Sequence, residues 1–391
     1  MKLKTALLVG LLVALLINAA QNVVSSDATP PVLPPRFKTL ATVAKNQVEI
    51  VANLPDRPGN LAVTPEGRII MSMHPFGQPK FKVLELLPDG SIKPFPSREW
   101  GQAPDAKGIG FDEVIGIESD RTGVVWTLDK GVNGSVPRLI AWDTRKNQLV
   151  RIILITAPAF QPNSFMQDLA IDLDHQAVYI ADMSRGDLVG VSNPAIVVVD
   201  LKTGTVRRAV ERHQSLQPEG ANFFIDGKAQ TVSDGKGGLV KPSLGLNLIT
   251  IDPKHEWVYY GAMNGRSLYR VRTKDLLNPN LSPQQVGSRV ERYGQKAVSD
   301  GIAIDNAGNV YVTDISASAI GVTTPAGNYR VLHQDPLLSW VDGISYSPDG
   351  YFYATVNQLH RHPALNGGQD ASKPPYLIVR FKPLAPGTVG R

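Results

Sequence analysis

Apolar residues along this chain come in pairs of short runs, each pair joined by a polar turn. In "SDGIAIDNAGNVYVTD" (299–314) a Ser-Asp-Gly step precedes one apolar run, Asn-Ala-Gly makes the turn, and a second apolar run follows. The grammar recurs in "VDGISYSPDGYFYATV" (341–356), "QDLAIDLDHQAVYIAD" (167–182), "NLITIDPKHEWVYYGA" (247–262), "GNLAVTPEGRIIMSM" (59–73) and "IGIESDRTGVVWTLD" (115–129). Apolar alternation and turns such as Pro-Glu-Gly, Arg-Thr-Gly and Pro-Asp-Gly predict strand–turn–strand units, and no copy carries a helical period. About six copies at intervals of roughly 40 to 80 residues predict an all-β, six-bladed β-propeller of four-stranded blades. A solenoid is the rival, but the intervals are too long and irregular for hexapeptide-type coils.

A propeller joins its first and last blades or leaves sheet edges open. "NQVEIVANLP" (46–55) precedes the first repeat and "PPYLIVRFKPL" (374–384) follows the last. Both read as single strands and are expected to share the closing blade. The longest gap between repeats holds "ERHQSLQPEGANFFIDGKAQTVSDGKGG" (211–238), polar and Gly-rich around Phe223 and Phe224. It reads as a loop or hairpin excursion over one face, of the kind that lines or covers binding sites.

The repeats span nearly all of the 391 residues, which favours one domain, assigned to residues 46–391. The N-terminus differs. "MKLKTALLVGLLVALLINAAQ" sets Lys2 and Lys4 before an uncharged apolar run, the pattern of a secretory signal peptide, assigned to residues 1–26. An uncleaved anchor is the alternative, although the run is short for a membrane span. Residues 27–45 read as a Pro-rich leader. The expected location is therefore secreted or periplasmic, without stable membrane insertion after cleavage. There is no cysteine, so stability has to come from a large buried core rather than disulfides.

The formal charge of +5 loses two positive charges with Lys2 and Lys4. The densest basic clusters, "RVRTKD" and "VRRAVERH", read as solvated strand ends and loops. Nucleic acid is excluded as a partner on that basis, and a monomer is expected. "NGS" (133–135) and "NLS" (280–282) fit the N-glycosylation pattern.

The innermost strand of each propeller blade lines a central channel. Aligning the six copies places Gly59, Ile115, Gln167, Asn247, Asp300 and Asp342 where each chain segment enters that strand, followed by Asn60, Gly116, Asp168, Leu248, Gly301 and Gly343. Oxygen-bearing side chains from four blades are thus expected at one channel mouth. Three readings compete for them. They cap backbone N–H groups and hold water; or Gln167, Asn247 and Asp300 hold a hard divalent cation such as Ca2+; or the ring grips a small organic ligand through Gln167, Asp168, Asn247 and Asn60. Two neighbouring acids, Asp300 and Asp342, raise each other's pKa and suit proton transfer. Asp129, Asp182 and Asp314 end the second strands and read as binding nearby turn amides; Asp172, Asp252 and Asp305 read as turn formers. Trp126, Tyr179, Tyr259, Tyr311 and Tyr353 recur at equivalent positions and read as core packing.

Several steps resemble the major royal jelly / yellow family: "VVWTLDKG", "QDLAIDLDHQAVYIAD", "YYGAMNGRSLYRVRT", "SDGIAIDNAGNVYV" and "YATVNQLHR", in the family's order. The resemblance covers roughly residues 48–380 and implies a secreted six-bladed propeller. It also implies dopachrome-converting or amine-binding chemistry in the central channel. Asp300 and Asp342 would then shuttle a proton, with Gln167 and Asn247 steadying the developing oxyanion. A more distant resemblance is to gluconolactonases, which hold a divalent metal with a Glu, an Asn and an Asp. The Asn falls on Gln167 and the Asp on Asp300, but the Glu falls near Gly59, which weakens that lactonase or esterase alternative. A non-catalytic extracellular binding protein is the third reading. No G-x-S-x-G elbow, P-loop or dinucleotide fingerprint occurs. The histidines show no metal-binding spacing, and His360 and His362 read as surface residues.

Overall fold

The computed structural model describes residues 37, 39, 41–43, 48–131, 135–184, 188 and 192–390. The signal-peptide assignment, most of the leader and Asn133 of the first glycosylation pattern lie outside the described residues. Among the described residues no helix is long and apolar enough to cross a membrane.

Six sheets carry the fold, each ordered from an inner to an outer strand. The inner strands are Pro58–Val63, Val114–Ser119, Met166–Asp172, Leu246–Ile251, Ser299–Ile304 and Val341–Tyr346. Neighbouring inner strands touch in a closed ring, the last against the first. The second strands are Ile69–Met73, Val124–Asp129, Ala177–Asp182, Trp257–Ala262, Val310–Asp314 and Phe352–Val356, and every residue in them is buried. Blades stack face to face, so these strands are covered on both sides. That is why they read as continuous apolar runs rather than strict alternation. The predicted aromatic positions Trp126, Tyr179, Tyr259, Tyr311 and Tyr353 are all buried there. Four of them donate to an Asp in the turn of their own hairpin: Trp126 to Asp120 at 2.8 Å, Tyr179 to Asp172 at 3.1 Å, Tyr311 to Asp305 at 2.9 Å and Tyr353 to Asp349 at 2.7 Å. The turn acids thus satisfy polar tips that burial would otherwise strand.

The closing blade forms as the sequence predicts. Val48–Leu54 pairs antiparallel with Tyr376–Phe381, with Ile50 opposite Val379. Arg380 bonds Glu49 across this seam at 2.8 and 2.6 Å. The closure reaches further upstream than the expected domain boundary. Ala41–Val43, inside the stretch read as leader, adds a fifth strand to this blade.

Between the third and fourth blades the chain makes the expected excursion. It contains two short hairpins, Phe224–Ile225 with Lys228–Ala229 and Val232–Ser233 with Leu239–Val240.

Candidate functional site

All six inner strands carry a β-bulge near their start. Register slips between Pro58 and Leu61, Val114 and Ile117, Met166 and Asp168, Leu246 and Leu248, Ser299 and Ile302, and Val341 and Ile344. A bulge bends the strand and re-aims a side chain. Here the bulged residues are those singled out in the repeats. Hydroxyls on the second strands hold three of the bulges. Thr313 Oγ1 accepts from the backbone N–H groups of Asp300 and Gly301 at 3.0 and 2.9 Å, Thr355 Oγ1 from Gly343 at 3.1 Å, and Ser72 Oγ from Asn60 at 3.0 Å.

The result is a chamber on the axis. Asn60, Gln167, Asp168, Asn247, Asp300 and Asp342 line it together, with Ile115 completing the ring. Every residue predicted for the site is therefore in one place. Its upper wall is apolar: Phe76, Phe165, Leu188, Leu244, Met263, Trp340, Leu359 and Leu365. About 40 Å³ is free for solvent, room for a few waters. Asn60 and Asp168 also border a second, more polar cavity further along the axis, reached by Glu118, Thr250 and Ser345 and bounded by Thr388 and Gly390 of the C-terminal segment.

Three carboxyls from three blades share this small space. Asp300 is held on both oxygens, by Asn247 Nδ2 on Oδ1 at 2.6 Å and Trp340 Nε1 on Oδ2 at 2.6 Å. Burial still pushes its pKa up to about 6, against those two donors. Asp168 accepts from Asn60 Nδ2 at 3.2 Å and from the Leu169 N–H at 2.9 Å. Burial, then the Asp300 charge, raise it to about 7. Asp342 accepts from Asn357 Nδ2 at 2.7 Å. Burial first, and then the charges of Asp300 and Asp168, lift it well above the ordinary carboxylate range. The three are not equivalent, because two N–H donors favour the ionised form of Asp300 while Asp342 faces two other acids.

The residues do not fit a gluconolactonase-type metal triad. The first ligand position is Gly59, and Asn247 turns its amide N–H, not its oxygen, toward Asp300. Among the described residues no three His, Asp or Glu side chains are grouped as metal ligands.

Trp340 and His74 are among the members of the site missed in the sequence. Trp340 holds Asp300 and sits with φ +60, an unusual conformation for so bulky a residue. His74 also lines the chamber. Its Nδ1 accepts from the Phe76 N–H at 3.2 Å, so its proton is on Nε2. Burial, with Lys130, Arg57 and His362, holds its pKa well below the usual value. In an NMR titration His74 is therefore expected to stay neutral at pH values where an exposed histidine has already taken up a proton. A midpoint at or above that of an exposed histidine would contradict this environment.

The expectation for His360 is corrected: it is only 4% exposed, its ring parallel to Trp340, drawn in by packing between segments far apart in the chain. His362 stays partly exposed and stacks on Phe76 at 5.0 Å. The second acidic set behaves as expected. Asp129 accepts from the N–H groups of Asp112 and Glu113, Asp182 from Phe165 and Ser184, and Asp314 from Ala317.

The family profile described as major royal jelly protein matches residues 113–375. The chain belongs to the major royal jelly protein family. Similar relatives include major royal jelly protein 7 of Apis mellifera, 24% identical over 207 residues, which are 50% of this chain and 42% of that protein. Major royal jelly protein 5 of the same species is 25% identical, over 50% of this chain and 31% of that one. This royal jelly-type propeller thus aligns with less than half the length of these relatives. Among solved structures, a gluconolactonase of Xanthomonas campestris superimposes with a TM-score of 0.54 at 10% identity, covering 91% of this chain and 99% of that one. A luciferin-regenerating enzyme does so with a TM-score of 0.56 at 12% identity, covering 88% and 97%. Likeness at these identities establishes the shared propeller fold.

Proposed function

We propose that this royal jelly-type propeller binds a planar, oxygen-bearing aromatic molecule in its axial chamber and moves a proton on it. The observation that carries this reading is the convergence of three carboxyls, Asp342 buried and Asp168 and Asp300 partly so, from three blades beneath an apolar, aromatic wall. Asp300, fixed by two N–H donors, acts as the base that removes an acidic carbon-bound proton. The electron pair passes into the conjugated system, and Asp342 returns a proton at another atom, so the net change is isomerisation. Asn247 and Gln167 supply amide N–H groups for the oxygen that gains charge. A quinone-like compound such as dopachrome has the required shape and acidity. The N-terminal sequence supports a role outside the cytoplasm.

The test is the decay of dopachrome with the purified protein beside an Asp300→Asn, Asp342→Asn variant. The expected outcome is a rate enhancement in the native protein that the folded variant loses. No enhancement in the native protein removes dopachrome as substrate. Chelator-sensitive hydrolysis of a lactone would replace proton transfer with the metal-dependent alternative.

A further inference from the structure

The chamber's 40 Å³ of free space is small beside the roughly 300–1,000 Å³ of typical ligand pockets. A wall has to move to widen it. The inner strands cannot, since each is hydrogen-bonded into its own blade. The apolar wall can, because it is built from loops. Behind Trp340, Leu359 and Leu365 packs the excursion between the third and fourth blades, with Phe223, Ile225 and Val232 buried in the same apolar cluster. Phe223 meets Trp340 edge-on at 6.0 Å.

We infer that this excursion, residues 223–240, is a lid over the chamber and that Asp226 is its latch. Asp226 stands in the tight Ile225-Asp226-Gly227-Lys228 turn, where both central residues have positive φ. From there its Oδ2 accepts from His360 Nε2 at 3.0 Å and Arg361 Nη2 at 3.0 Å. Those two residues belong to the loop that supplies Leu359 and Leu365 to the chamber. The remaining ties between lid and loop are neutral. The Gln230 amide, oriented by its surroundings, donates to the carbonyls of His360 and Leu365, and Thr231 bridges Asn366. The latch is therefore the charged fastening of a small element, and its acid is 47% exposed, open to solvent competition. It also reaches the chemistry. The His360 ring lies parallel to Trp340, whose indole N–H holds Asp300. Opening the lid removes packing from the residue that fixes the proposed base.

The inference takes the chamber as the ligand site but does not need the proton chemistry proposed for it. Its test is correspondingly independent. The chain has no cysteine, so one introduced thiol is a clean reporter. Met263→Cys places it on the chamber wall, and the rate of its reaction with N-ethylmaleimide reports lid opening. Asp226→Ala is expected to speed labelling about tenfold or more, the effect of losing a charge-assisted fastening. Met71→Cys, in the core of the first blade, reports global opening and is expected to show no comparable change. An unchanged Met263→Cys rate overturns the latch. Equal acceleration at both thiols overturns it too, because the whole fold is then loosened. Ile115→Cys, elsewhere on the chamber ring, replaces Met263→Cys if that variant fails to fold, and Asp226→Asn replaces Asp226→Ala.

Discussion

Asp342→Asn is expected to lower proton transfer in the chamber by about 10²–10⁴-fold and, in the same protein, to raise stability above neutral pH. The two effects have one cause. Asp342 is buried beside Asp300 and Asp168, so its ionised form is disfavoured by burial and by both neighbours. A carboxyl that holds its proton more tightly in the fold than in the unfolded chain stabilises the fold at low pH. That stability is fully present below the unfolded value of about 3.9 and is lost as pH rises through the folded value. For the companions Asp300 and Asp168 the losses fall near pH 6 and pH 7. An amide at 342 removes the charge and keeps an oxygen to accept from Asn357 Nδ2. Thermal melts should therefore put Asp342→Asn a few degrees above the native protein at pH 8, with the gain gone near pH 4.

Asp342 is a better choice for this measurement than Asp300. Asp300 accepts one N–H on each oxygen, so an amide there would set its own NH2 against Asn247 or Trp340. That mismatch would destabilise the fold for reasons unrelated to charge. If Asp342→Asn instead melts lower than the native protein at every pH, the acid is a structural cap or water holder. The functional reading of the ring then fails with it.

How far the sequence reached can be judged from particular residues. Asp300 and Asp342 were legible because "SDG" and "VDG" stand at the same step of two repeats, and periodicity transfers position from one blade to the next. What periodicity cannot supply is the partner across the axis or on another segment. Trp340 lies one residue before its repeat and is defined by a bond to Asp300 in the preceding blade. His360 is buried by a contact with Asp226, 134 positions away. A second alignment, on the residue after each second strand, yields His74, Lys130, Met183, Met263, Ile315 and Asn357. Of these, His74 and Met263 line the chamber and Asn357 binds Asp342. That register was available in the sequence. The bulges were not, since a two-residue period hides one extra residue unless the pairing strand is known.

The second large effect is on the ring itself. Gly301→Ala is expected to destabilise the protein by about 3 kcal/mol or more, enough to leave much of it unfolded at moderate denaturant. The glycines that follow the bulged residues are spaces for the neighbouring blade. A Cβ on Gly301 would overlap the backbone carbonyl oxygen of Asp342, and one on Gly343 would come within 2.8 Å of the Asn60 Cα. Gly116 has the same relation to the Gln167 carbonyl oxygen at 2.8 Å. These obstacles are backbone, which cannot swing aside as a flexible side chain would, and each inner strand is fixed in a closed ring. Relief at one seam therefore displaces the next. Gly77→Ala is the matched control, because nothing lies within 4 Å of a Cβ there and its φ is not positive. Equal denaturation midpoints for the two variants would show that the ring is not closely packed at this seam. A large drop confined to Gly301→Ala would tie the Asp-Gly step to one geometric demand: the glycine lets adjacent inner strands touch, and that contact brings Asp300 and Asp342 into the same chamber.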